Sequence, residues 1–208
     1  EKKTFQMKDD YQDEFLLRLK KSLIYQALAE KCQHNDEEVI ALVKSAVSYA
    51  FQRTKTIIKH MGEFTLHDGD HLFRVLNLME KLLGEKIINN LSVPELMLLV
   101  LTAFFHDIGM SPDEKEVLTW RKVWDLDPEF ENEEEEKSYK EFSRFYAARP
   151  DHHEIINKFI SLGKITSADT IKAYLITEFI RHTHADRARD IIDKDWNGKI
   201  KFRDVDLT

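Results

Sequence analysis

The sequence predicts an all-α helical bundle with an inserted acidic segment, and three observations carry that prediction. Only 6 glycines and 4 prolines occur in 208 residues, too few for a fold built from hairpins and tight turns. Apolar residues recur at helical rather than alternating spacing along much of the chain. One segment, Leu96 to Phe105, is apolar on nearly every side, which marks a helix at the centre of a bundle. The length suits a single domain over 1–208 with a real core. With no initial methionine and a new start at Lys199-Ile200-Lys201-Phe202 close to its end, the chain reads as a piece of a longer polypeptide.

Residues 14–60 predict two N-terminal helices. Phe15, Leu16, Leu19, Leu23 and Leu28 mark the first, and Val39, Ile40, Val43, Ala46, Val47, Ala50 and Phe51 the second. The polar His34-Asn35-Asp36 separates them, and Gly62 closes the region before an extended Phe64-Thr65. Two further helices fall within 64–110. One runs from about Gly69 to Leu83 and stops at Gly84, a residue suited to the left-handed turn after a helix. Its expected apolar face is Leu72, Val75, Leu76, Leu78, Met79, Leu82 and Leu83. The other opens on Ser92-Val93-Pro94-Glu95, a capping box with proline in the first turn, and ends at His106-Asp107-Ile108-Gly109.

Residues 111–165 read as the insertion. Six glutamates occupy the eight positions from Glu129 to Glu136, the pattern of a solvated face or loop, with a lid over a nearby site as the sharper alternative. A helix is expected near 151–162. Ser167 then caps a long helix over 167–192, ending before Asn197-Gly198, and a charged, strand-like tail covers 193–208.

Charge and cysteine content limit the function. A net charge of −7 disfavours duplex DNA, whose binding relies on Lys and Arg neutralising phosphates. A single cysteine, Cys32, excludes an internal disulfide or a cysteine-based zinc site and suits the reducing cytoplasm. The ten-residue apolar stretch is too short to span a bilayer, so no membrane partner is expected.

The chemistry concentrates in histidine and aspartate. His106-Asp107 sits at the end of the most apolar helix, where an ionised carboxylate needs compensation, and a divalent cation supplies it. His71 lies on a stripe with Val75, Leu78 and Leu82, so it is expected to point along a buried face, with His67 one turn earlier. His34 and His60 read as structural. His152 and His153, at a helix start after Pro150, are weaker candidates. His182 and His184 both flank the apolar face of the long helix, and periodicity does not choose between them.

The segment His71-Leu72-Phe73-Arg74-Val75, followed by Phe104-Phe105-His106-Asp107-Ile108-Gly109, resembles the HD superfamily of metal-dependent phosphohydrolases. Phe64 to His71, together with Phe179-Ile180-Arg181-His182-Thr183-His184-Ala185-Asp186-Arg187, is similar to its HD-CE subgroup, often fused to a chaperone- and histidine-kinase-type (GHKL) ATPase. The resemblance implies an HD-type bundle with His71, His106 and Asp107 as metal ligands. His184 matches the later family histidine, and the Arg-x-x-His-x-x-Arg spacing favours it over His182. Asp107, Arg181 and His67 would act on the substrate, with Arg181 and Arg187 suited to phosphate oxygens. One or two divalent ions are implied, of manganese, iron, nickel, cobalt, zinc or magnesium. The substrate class is a small phosphate ester or phosphodiester, a nucleotide or nucleic-acid-derived molecule. One departure stands out. The closing aspartate of the family has no match, because Asp190, Asp193 and Asp195 are too near His184 and Asp204 and Asp206 lie in the tail. That departure supports an alternative, a catalytically incomplete module that binds nucleotide or metal and regulates an attached or partner ATPase.

Overall fold

The computed structural model describes residues 14–33, 36–60 and 69–207. The described chain is helical almost throughout, closed by a short β-hairpin. Helix α1 covers 14–20. It is followed by α2 (Leu23–Lys31), α3 (Glu37–His60), α4 (Gly69–Leu83), α5 (Glu85–Asn90) and α6 (Val93–Phe105). A 3-10 turn at Ile108–Met110 leads to α7 (Glu114–Arg121), α8 (Glu133–Ala147), α9 (Pro150–Ser161) and α10 (Ile165–Asp195), and β1 (Lys201–Phe202) pairs antiparallel with β2 (Val205–Asp206).

Local chemistry accounts for the boundaries. Ser22 ends the first N-terminal helix early: its hydroxyl accepts from the Tyr25 amide at 3.2 Å, capping α2. Residues 14–33 therefore form two helices where the apolar spacing predicts one. Ile24, not Leu23, enters the core, and Leu23 is exposed. Gly84 takes φ 75° and ends α4 where expected. The capping box at Ser92 is formed, with Glu95 accepting from the Ser92 amide at 2.7 Å, and those bonds hold the Glu95 carboxyl below its ordinary pKa. Between α9 and α10, Gly163 at φ 68° makes a left-handed turn. The Lys164 amide donates to the Phe159 carbonyl at 2.8 Å and Gly163 to Ile160 at 3.0 Å, a Schellman arrangement. Only Leu162, Gly163 and Lys164 connect the two helices, so α10 begins at Ile165 and Ser167 lies inside it rather than capping it.

Two hydrophobic clusters result. The first gathers α1 to α6, with Trp196 and Ile200 from the end of the chain, around Leu19, Leu28, Val43, Val47, Leu76, Leu96, Val100 and Phe104. The second lies among the helices after the 3-10 turn, around Trp120, Phe142, Tyr146, Ile156, Leu175, Phe179 and Ile180. Ile108 belongs to the first cluster and Met110 to the second, so Gly109 marks the border. Helix α10 spans both clusters, with Leu175 to Ile180 in one and Ala188, Ile191 and Ile192 against the other. The stretch Val93–Trp124 is long and apolar enough by composition to cross a membrane, but it is broken at residues 106–113 and its side chains fill these two clusters.

The acidic run is not wholly solvated. Glu133 to Glu136 form the first turn of α8, where carboxylates complement the helix dipole. Glu135 is buried. Lys122 donates to it at 2.6 Å, the Glu131 amide at 2.7 Å and the Thr119 hydroxyl at 3.1 Å. Lys122 first, and the Glu131 amide next, lower its pKa to about 2.

Candidate metal centre

Helix α4 contributes His71 from its first turn. Its start is seated by Gly69, where a Cβ would lie 2.1 Å from the Phe51 ring, by an ion pair between Arg18 and Asp70, and by Leu72 in the first cluster. The expected face of α4 needs correction. Leu72 and Leu76 are buried, whereas Leu78 and Leu82 are 57% and 77% exposed. His71 therefore sits at the rim of the buried face, partly open to solvent, rather than along a buried stripe. Helix α6 brings His106 and Asp107 to the same rim. His106 is exposed and Asp107 half-buried, so this is an accessible site at the helix ends rather than a buried pocket.

The three side chains converge. His71 Nε2 lies 3.1 Å from His106 Nε2 and 3.2 Å from an Asp107 carboxylate oxygen, and His106 Nε2 lies 2.9 Å from that same oxygen. The two imidazole centroids are 5.2 Å apart. These are the edges expected when ligands with bonds of about 2.0–2.2 Å share one ion, roughly 3 Å for adjacent octahedral positions and slightly more for tetrahedral ones. The His106 Nδ1 faces the Ala103 carbonyl at 3.1 Å, which calls for a proton on Nδ1. In the neutral ring Nε2 then turns its lone pair toward the carboxylate oxygen, so both atoms can serve as donors to one cation. The raised pKa of His106, caused first by its bond to Asp107 and opposed by burial, expresses the same demand for positive charge. The donor set, two imidazoles and one carboxylate, suits a first-row divalent ion with positions left open.

The 3-10 turn after Asp107 is held from two sides. From α3, Arg53 donates to the Ser111 carbonyl at 3.0 Å. From α10, Arg187 Nε donates to the Gly109 carbonyl at 2.9 Å, and its two terminal nitrogens donate to the Glu116 carboxylate at 2.6 and 3.1 Å. Helix α10 passes so close that a Cβ on Gly109 would lie 1.9 Å from the His184 carbonyl.

The remaining candidates are placed as follows. His184 lies on α10 with Nδ1 2.7 Å from the Arg181 carbonyl. It approaches the turn through its backbone, and its ring is not part of the three-residue group. His182 has its ring 6.2 Å from Phe145. Arg181 pairs with Glu178 at 3.1 Å on the exposed face of α10. Arg187, expected to suit phosphate, is instead committed to Glu116 and Gly109 with its side chain 12% exposed, and its distant partners were not legible from spacing. His153 stacks on Tyr146 at 3.6 Å and bonds its carbonyl. Asp195 accepts from the Tyr49 hydroxyl. His67, His34 and the Gly62 and Phe64-Thr65 features lie outside the described residues. Among the described residues no fourth metal-binding side chain joins the three.

Comparison with known proteins adds one match: the family model HD-CE covers residues 61–208. No curated protein and no solved structure matches the chain.

Proposed function

The chain belongs to the HD-CE family, and from that premise we propose that it is a metal-dependent phosphohydrolase acting on a small phosphate ester or phosphodiester, a nucleotide being the favoured class. The observation that carries this reading is the triangle of His71, His106 and Asp107, with edges of 2.9–3.2 Å. A divalent cation held there would polarise a phosphoryl oxygen and lower the pKa of a bound water. The protein's part is to fix the three donors. Asp107 supplies the charge, His106 is oriented by the Ala103 carbonyl, and His71 reaches in from α4. Arg181, rather than the committed Arg187, is the arginine assigned to phosphate oxygens. His67 and His184 are assigned to a second ion or to the substrate. The acidic surface of the insertion favours a small substrate over a long polyanion, and the lone buried Cys32 agrees with a cytoplasmic setting.

A second reading has its own support. With three donors grouped among the described residues and no further carboxylate beside them, the site suits a module that binds nucleotide or metal without turnover and regulates an attached or partner GHKL-type ATPase. One experiment separates the two. Purified protein is loaded with Mn2+, and phosphate or nucleoside release is followed on a nucleotide panel beside Asp107→Ala. Turnover lost in the variant supports the hydrolase. Ligand-dependent stabilisation with no product supports the regulatory module.

A further inference from the structure

We propose that Arg187 is a positioning residue for the metal centre: its guanidinium, held by Glu116, sets the turn that carries Asp107. This inference rests on the metal-binding reading above and adds a residue that touches neither ion nor substrate.

Residues 108–110 follow Asp107 directly, and the Met110 amide donates to the Asp107 carbonyl at 2.9 Å. The orientation of the carboxylate therefore depends on the peptides of Ile108 and Gly109. The Gly109 peptide lies in a buried stretch, pressed by α10 at the His184 carbonyl and the Ala188 amide. Its carbonyl faces Arg187 Nε at 2.9 Å. A planar guanidinium can give Nε to one acceptor and both terminal nitrogens to a carboxylate, and Arg187 does so with Glu116 at 2.6 and 3.1 Å.

Glu116 is fixed independently. It closes the capping box of α7, accepting from the Asp113 amide at 2.8 Å, while its own amide donates to Asp113 at 2.8 Å. Burial works to raise its pKa, and the Arg187 bonds and charge, together with the Asp113 amide and the Arg53 charge, outweigh that and leave the carboxyl below its ordinary value. Trp120 backs the guanidinium, 5.1 Å from the ring centroid. The first turn of α7, which belongs to the insertion, is thereby tied through Arg187 to the backbone beside a metal ligand. Removing the guanidinium leaves the Gly109 carbonyl buried without this donor. The peptide then rotates to find another, and Asp107 moves with it.

The test uses the whole chain and Mn2+ as the probe. Isothermal titration gives the Mn2+ affinity of the wild type, Arg187→Met, Arg187→Lys and a control, Phe142→Leu, which loosens the second cluster behind Trp120 and removes none of the Arg187 hydrogen bonds. Thermal melts and hydrogen exchange of the peptide 106–111 are recorded on the metal-free proteins. Loss of a partner bonded directly to a ligand weakens metal binding by roughly 10- to 100-fold, and Arg187, acting through the Gly109 peptide, is expected at the lower end, about 10-fold. The expected result is a Kd raised by that factor in Arg187→Met, a smaller rise in Arg187→Lys, faster exchange at 106–111 in both, and an affinity within about twofold of wild type in Phe142→Leu. A folded Arg187→Met with wild-type Mn2+ affinity overturns the proposal, as does an equal loss in Phe142→Leu. If Arg187→Met fails to fold, Glu116→Gln is judged by the same criteria. A wild-type protein that takes up no Mn2+ overturns the metal reading and this inference together, a result distinct from retained affinity in the variant.

Discussion

The two hydrophobic clusters are built on different plans. The first draws on long apolar stripes that carry both aliphatic and aromatic residues: α3 alone contributes Val39, Val43, Ala46, Val47, Ala50 and Phe51, and Phe51 packs with Phe15 and Phe73. The second is assembled from aromatic anchors on highly charged helices. Helix α8 begins with four glutamates and buries only Glu135, Phe142 and Tyr146, while Trp120, Phe142 and Phe179 pack with centroids 5.2–6.3 Å apart. Few large rings can replace many small aliphatic contacts, since each aromatic buries roughly 150–250 Å². The candidate ligands His71 and His106 ride on helices of the first cluster, and the insertion reaches them through the turn at Gly109. Metal affinity should therefore follow the first cluster and the turn, with the second cluster setting stability and access.

The largest expected effect tests that division directly. Phe142→Ala removes a ring that is fully buried and should cost about 3–5 kcal/mol in urea denaturation, while the Mn2+ affinity of the folded protein stays within threefold. Leu76→Ala, buried in the first cluster on the helix that carries His71, should cost about 2–5 kcal/mol and weaken Mn2+ binding as well. Equal effects on affinity from both variants would break the comparison.

Gly109→Ala strikes the border itself. Its Cβ meets helix backbone at 1.9 Å, so the strain should reach at least the upper end of the about 1–3 kcal/mol of overpacking, read in the same denaturation experiment, with a loss of Mn2+ affinity.

Glu135 gives the second cluster a pH dependence. Its carboxyl is held at about 2, below the ordinary 4.5. A carboxylate with a lowered folded pKa contributes stability that is full above the ordinary range and is lost as pH falls toward the folded value. Glu135→Gln should therefore melt several degrees below wild type at pH 7, and the gap should close between about pH 4.5 and 2. The smallest effect belongs to Leu82, whose side chain is 77% exposed. Leu82→Ser should change stability by no more than about 0.5 kcal/mol in urea titration.

The same contrast explains what could be read from sequence. The first cluster was legible because its signals are local: apolar spacing, Gly84 after α4, and the Ser92–Glu95 capping box. Even there the break at Ser22 was hidden, since a serine inside an apolar pattern announces its capping bond only once the chain turns. The short helix Glu85–Asn90 carries too few residues for a periodic signal. In the second cluster three helices were foreseen only as an insertion with one helix near 151–162, because charge composition masks sparse aromatic anchors. His71, His106 and Asp107 lie in two short motifs, so their grouping was legible, and the structure brings the three side chains together. The bonds of Arg187 were not legible, because its partners Glu116 and Gly109 lie 71 and 78 residues away and local spacing carries no trace of them. The exposure of Leu78 and Leu82 shows the limit of periodicity itself, which fixes a face but not how far the bundle covers it.

Whether His71, His106 and Asp107 hold one divalent ion is tested most directly by calorimetric titration of metal-free protein with Mn2+. The account expects saturable binding in the wild type and affinity at least about 100-fold weaker in His106→Ala and in Asp107→Ala, the outcome of removing a ligand outright rather than its support. Binding of Mn2+ by folded Asp107→Ala as tight as by the wild type would contradict it.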